Sequence, residues 1–180
     1  MGSVGVVIAA RAHVGLTLDC LRSLWWHTMG FRLYLFDGVP AAEVSRAWNR
    51  GLRLAAEDGC DVAVVLNNDT QVTAGWLAPL VEGCDAFDLV GPASDHAGGH
   101  PVQERDGPDG PGPRTGYTAV PALNGFCLAA RMAWWQWSGG FDETRFLGNE
   151  DELIARTQAR CAVAHASFVW HVGAATRRDQ

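Results

Sequence analysis

Apolar positions in this chain come in two kinds of pattern. Short apolar runs at Val4 to Ala10, Leu33 to Phe36 and Val62 to Leu66 each stop at polar or turn-forming residues, as buried strands of a parallel sheet do. Between them, apolar residues recur every three or four positions. Val14, Leu18, Leu21 and Trp25 predict an amphipathic helix from Val14 to His27, packed through that face. Val44, Trp48, Leu52 and Ala55 predict a second from Ala41 to about Asp58, with Pro40 before it and Gly59 after it. Shorter segments follow: a helix from about Ala74 to Val81, a strand at Asp88 to Gly91, a strand-like run at Ala122 to Ala129, and a helix from Arg131 to Trp137. A helix from Asn149 to about Arg160 and a strand at Val163 to Val169 complete the pattern. Strands alternating with helices at this spacing imply βαβ units and a largely parallel sheet.

The periodicity stops between Pro92 and Thr118, a stretch dense in Gly and Pro, which reads either as a lid or as disordered chain. His96 and His100 within it read as solvated residues. The loop divides one domain of 180 residues into a half up to about residue 91 and a half from about 119 to 180.

Composition narrows the class. With 48% apolar and 19% charged residues the chain has a soluble globular balance. All 14 basic residues are arginines and the net charge is -6, so it offers no concentrated basic face for nucleic acid. Five widely spaced cysteines without a Cys-x-x-Cys pair read as reduced core thiols of a cytoplasmic protein. No apolar run approaches the ~18 residues of a membrane span.

Ligands of open α/β sheets bind at the carboxyl ends of the strands. Asn67, Asn68 and Asp69 follow the most apolar run, and Asp37 follows the second strand, so both acids are expected at one sheet edge. Asn and Asp at a strand end also serve as ordinary turn residues. Asn149 and Glu152 have capping-box spacing, and Glu152 could pair with Arg156 one turn on. Trp134, Trp135 and Trp137 fit either a core or a platform on which sugars and bases stack.

The order of these pieces resembles the family-2 glycosyltransferases. The resemblance runs from Val6 to His171 and is carried by Asp37, by Trp48-Asn49-Arg50-Gly51-Leu52, by Val65-Leu66-Asn67-Asn68-Asp69-Thr70 with Gly75-Trp76-Leu77, by Gly139-Gly140-Phe141-Asp142-Glu143, by Glu150-Asp151, and by His171-Val172-Gly173. It implies a single-domain α/β GT-A (Rossmann-like) fold with a mostly parallel central sheet flanked by helices. It further implies an inverting, non-processive, hexosyltransferase-like enzyme that moves one sugar from a nucleoside-diphosphate donor to an acceptor hydroxyl.

On that resemblance Asp37 reads the donor's base, and Arg11, Asn49, Asn67 and Asn68 line the donor pocket. Asp69 and His171 bind a divalent cation, Mn2+ or Mg2+, with Asn67 standing where the family's Asp-x-Asp motif has its first Asp. Asp151, or Glu150 beside it, takes the proton from the acceptor hydroxyl. Asn124, Gly125, Trp134 and Trp135 face the acceptor, which the sequence leaves open among a glycan, a lipid-linked and a small-molecule acceptor. A homodimer is also left open. The alternative from another class is a catalytically inactive module that holds a nucleotide or sugar, motivated by Asn67 and by Ala10-Arg11-Ala12-His13 in the first loop.

Overall fold

The structure, a computed structural model, describes residues 2–145 and 149–173. The last residues of the second half, 174–180, lie outside them. Eight strands form one sheet in the order β2-β1-β3-β7-β5-β8-β4, with β6 paired to β8. At one side β1 (Val4–Ala9) lies between β2 (Phe31–Phe36) and β3 (Val62–Asn67), parallel to both, with Val4 opposite Phe31 and Val62. Next comes β7 (Cys127–Arg131), antiparallel to β3 and to β5 (Leu89–Ala93), and β5 is parallel to β8 (Cys161–His171). Five strands, β1, β2, β3, β5 and β8, therefore run in one direction and end at one edge.

The strands alternate their side chains between two cores. Val7, Ala63 and Val65 face α2 (Val44–Glu57), α4 (Met132–Ser138) and α5 (Glu150–Thr157), together with Trp48, Leu52 and Trp135. Val6, Ile8, Val64 and Leu66 face α1 (Val14–His27) and α3 (Leu77–Gly83), together with Leu24, Trp76 and Leu80.

Two short strands escape the apolar pattern. β4 (Thr70–Val72) pairs antiparallel with the end of β8, placing Thr70 opposite His171, and β6 (Tyr117–Val120) pairs with the start of β8. Three or four residues are too few to show a period of two. β8 is longer than expected, and its register with β5 jumps from Pro92↔Ala164 to Ala93↔Phe168.

Several expectations need correction. In α1 the buried residues are Thr17, Cys20 and Leu24, while Val14, Leu18 and Trp25 are exposed. The helix is rolled by polar anchors: Asn68 Nδ2 donates to Thr17 Oγ1 at 2.8 Å, and Cys20 Sγ lies 3.6 Å from Thr70 Oγ1. The expected capping box is not formed either. Asn149 Nδ2 instead donates to Ser45 Oγ (2.7 Å) and to the Asp142 carbonyl (3.0 Å). Glu152 pairs with Arg145 at 3.1 Å, and Arg156 donates to the carbonyls of Ser138 and Gly140. Residues 41–43 form a 3-10 turn that leads into α2.

The joint between α2 and β1 is closest at Gly51. Replacing a helical glycine by alanine ordinarily stabilises by about 0.5–1 kcal/mol. Here the added Cβ would run into the stiff Val7 side chain and into Phe36, and overpacking costs ~1–3 kcal/mol. Gly51→Ala is expected to lower stability by about 1–2 kcal/mol in urea unfolding at unchanged m value; a stabilised variant would show that α2 can move off the sheet.

Candidate functional site

Every strand that runs in the common direction delivers a polar residue to the shared edge. Arg11 follows β1, Asp37 follows β2, Asn67 to Asp69 close β3, Asp95 and His96 follow β5, and His171 ends β8. A cleft of about 300 Å³ opens there, with Arg11, Asn67, Asn68, Asp69 and His171 on one side and Asn124, Gly125, Glu150 and Asp151 on the other.

Asp69 and His171 form its base, only 5% and 7% exposed. The β4–β8 pairing brings them together, reinforced by the Val172 amide donating to the Asp69 carbonyl at 3.0 Å. His171 Nδ1 lies 2.8 Å from the His96 carbonyl, which can only accept, so Nδ1 carries the proton. The His171 amide donates to Asp95 Oδ1 (2.9 Å), and the Phe126 ring stacks on the imidazole at 4.7 Å. In the neutral ring Nε2 then presents a lone pair to Asp69 Oδ1, 3.5 Å away. Two buried acceptors facing each other repel unless a positive charge lies between them, either a proton on Nε2 or a cation. A carboxylate oxygen and an imidazole whose far nitrogen is tied to a carbonyl are a donor set that suits a divalent ion. Among the described residues they form a pair rather than a cluster of three ligands.

Asn68 serves the cleft from behind. Besides bonding Thr17, its Nδ2 donates to the Arg11 carbonyl at 3.3 Å, holding a loop in which Ala12 and His13 both have left-handed backbone (φ 41° and 56°). Non-glycine residues in that region store strain, which functional sites retain. Across the cleft, Glu150 Oε1 accepts from the Gly125 amide at 3.2 Å. A Cβ on Gly125 would come within 2.8 Å of the Glu150 carboxyl carbon, so any larger residue there would displace that carboxylate. Asp151, the next residue of α5, lines the same cleft and is exposed.

Four of the expected residues lie elsewhere. Asp37 stands farther along the edge, exposed, its Oδ1 accepting from the Gly38 amide. Asn49 is buried beneath the Gly139 to Glu143 turn, where its Oδ1 accepts from the Phe141 amide (2.9 Å) and its Nδ2 donates to the Phe141 carbonyl (2.8 Å) and to Glu143. Trp135 belongs to the core and donates to the Ala63 carbonyl at 3.1 Å, with Trp134 packed edge-on against it. Cys20 lies close to Asp69, but burial pushes its thiol up to about 11, so it is not a thiolate at neutral pH. All five cysteines are buried and free.

The segment between β5 and β6 is folded as the cleft's upper wall. It brings His96, Gly98 and His100 to the cleft, where His96 stays exposed to solvent and His100 partly so. The signal that could have found His96 is the rule applied to Asp37 and Asp69, a polar pair directly after a strand. Three side chains hold the wall, Gln103 and Arg105 buried and Glu104 exposed. Glu104 Oε1 accepts from the Gly99 and Ala97 amides, which keeps its carboxyl below the ordinary range. Gln103 Oε1 accepts from the Asn124 amide at 3.0 Å. Arg105 donates to the carbonyls of Gly107, Pro113 and His165 and lies 5.2 Å over the Phe168 ring.

Comparison with solved structures bears on this arrangement. A crystal structure of GalNAc-T7 with UDP, GalNAc and Mn2+ superposes with a TM-score of 0.70 at 14% identity, covering 95% of this chain and 43% of that one. Residues 1–349 of TarS from S. aureus, in complex with UDP, superpose at 0.62 with 10% identity, covering 93% and 60%. The fold is that of the GT-A-type glycosyltransferases. A197 from STIV shares it, with a TM-score of 0.63 over 95% of this chain and 85% of its own. No family model matches the sequence. Uncharacterized proteins Rv1525 of Mycobacterium tuberculosis and Mb1552 of Mycobacterium bovis are 38% identical over 101 residues. The match takes in 53% of this chain and 38% of theirs, so the chain spans about two fifths of the length of these relatives. Among the described residues no helix of this GT-A fold is long and apolar enough to cross a membrane.

If Arg105 holds the wall, Arg105→Ala removes three charge-assisted hydrogen bonds and leaves buried carbonyls unpaired. The expected loss is about 2–4 kcal/mol, with new protease cleavage confined to residues 94–116. Wild-type resistance in the variant would mean that Gln103 and Glu104 suffice.

Proposed function

We propose that this chain is an inverting glycosyltransferase that moves a single sugar from a nucleoside-diphosphate donor to an acceptor hydroxyl with the help of a divalent cation. The observation that carries the reading is the buried Asp69–His171 pair, a carboxylate and an imidazole held 3.5 Å apart at the strand ends and lining one cleft with Glu150 and Asp151. The GT-A fold, met in neighbours solved with UDP, supports it.

In this reading Asp69 and His171 hold the cation, which when bound offsets the charge that builds on the departing diphosphate. Arg11 supplies further positive charge from the loop after β1, and Asp37 reads the base farther along the edge. Asp151 takes the proton from the acceptor hydroxyl. The acceptor oxygen bonds to the anomeric carbon from the face opposite the diphosphate, and the bond from that carbon to the phosphate oxygen breaks with its electron pair leaving on the nucleoside diphosphate. Glu150, whose carboxylate is engaged by the Gly125 amide, positions the Asn124–Gly125 turn beside Asp151.

A second reading, a module that binds nucleotide or sugar without turnover, is favoured by the neutral Asn67 and by a donor set of only two residues. Thermal shifts with UDP, GDP, dTDP and CDP, each with and without Mn2+, separate the two. Transferase chemistry requires that one nucleotide raise Tm by roughly 5–10 °C at saturating concentration, only with Mn2+, and that Asp69→Ala abolish the shift. Stabilisation indifferent to metal and to Asp69 would move the assignment to the binding module.

Asp151→Asn is expected to lower kcat by ~10²–10⁴-fold while leaving the nucleotide shift intact. A larger loss in Glu150→Gln than in Asp151→Asn would exchange their roles.

A further inference from the structure

The roll of α1 that buries Thr17, Cys20 and Leu24 turns the helix's most apolar stripe outward. Val14, Leu18 and Trp25 are exposed, with Leu21 half-buried between them, and Trp26 and Met29 continue the patch at 85% and 96% exposure. Trp25 itself is 72% exposed yet held in place, its ring packed edge-on against Phe31 at 6.1 Å. A tryptophan buries ~150–250 Å² when covered, so the two indoles and three aliphatic side chains together leave about 500 Å² of apolar surface in water. That lies at the upper end for a monomer, where such patches mark interaction sites, and approaches the ~800 Å² per partner of a standard interface.

We infer that this face of α1 is a self-complementary dimer seam, packed antiparallel against α1 of a second copy of the chain. The spacing carries the first half of the argument. Positions 14, 18, 21 and 25 advance by four, three and four residues, the repeat by which one helix seats against another. Charge carries the second half. The stripe is interrupted only by Asp19 and Arg22, an exposed pair 3.1 Å apart with opposite charges. A twofold axis between residues 21 and 22 sets Leu18 opposite the second copy's Trp25. It also brings each Arg22 within reach of the second copy's Asp19, so that one patch satisfies itself. A lipid surface is a poorer match for the same tryptophans: it draws on basic excess, whereas this stripe is locally neutral and the chain has no lysine and a net charge of -6.

Sedimentation equilibrium on the full chain, with Trp25→Glu and Trp26→Ser as separate variants, provides the test. The wild type is expected at twice its 19.4 kDa. Trp25→Glu should weaken the dimer at least ~30-fold, to a folded monomer, as loss of a central aromatic anchor does. A wild type that stays monomeric to its solubility limit overturns the inference, as does a dimer that survives both tryptophan variants. So does a monomer whose tryptophan emission shifts to the blue on phosphatidylcholine vesicles, which would assign the face to lipid. None of these outcomes depends on nucleotide binding.

Discussion

A proton committed elsewhere is the constraint on which the cleft depends. Because the His96 carbonyl takes the Nδ1–H of His171, only Nε2 is left to meet the Asp69 carboxylate, through a proton or a cation between them, in a place almost closed to water. Such a contact persists only if the fold enforces it. Three contacts do so: the β4–β8 pairing, the Val172 amide donating to the Asp69 carbonyl, and the His171 amide donating to the Asp95 carboxylate. The fold thus fixes the distance between the two groups, and a proton on Nε2 or a cation between them makes that distance favourable.

The same logic recurs around the edge. Residues that look functional by type are divided between those that face the cleft and those that hold the others there. Asn68 braces the strained loop beneath Arg11, and Glu150 fixes the Gly125 turn beside Asp151. Asn49 spends both ends of its carboxamide on the turn that precedes α5. A carboxamide is suited to that task because it can accept and donate at once, closing a backbone turn without carrying charge into the core.

The apolar runs at Val4 and Val62 announced the central strands, and the rule that ligands gather at carboxyl ends of parallel strands led from them to Asp69 and Arg11. What the sequence did not disclose was decided by contacts between distant segments. The apolar spacing of α1 allows two neighbouring stripes to face the sheet, and bonds from Asn68, Thr70 and Val72 to Thr17, Cys20 and Ser23 favour one of them. Trp135 has the same composition whether it meets a sugar or the Ala63 carbonyl. β4 is too short to carry a pattern, yet its pairing with β8 creates the Asp69–His171 contact.

Arg105 ties the upper wall to the sheet. Three carbonyls and one aromatic ring capture that single cation, and two of those partners, the His165 carbonyl and the Phe168 ring, belong to β8 rather than to the loop. The path of the wall is therefore set from the sheet, much as a keystone is set from its abutments. The loop itself is constrained as well: Gly107 and Gly112 have left-handed backbone, and a Cβ on Gly110 would meet the Asp106 carbonyl. The segment that lines the cleft and the strand that ends in His171 are thus joined through one buried guanidinium.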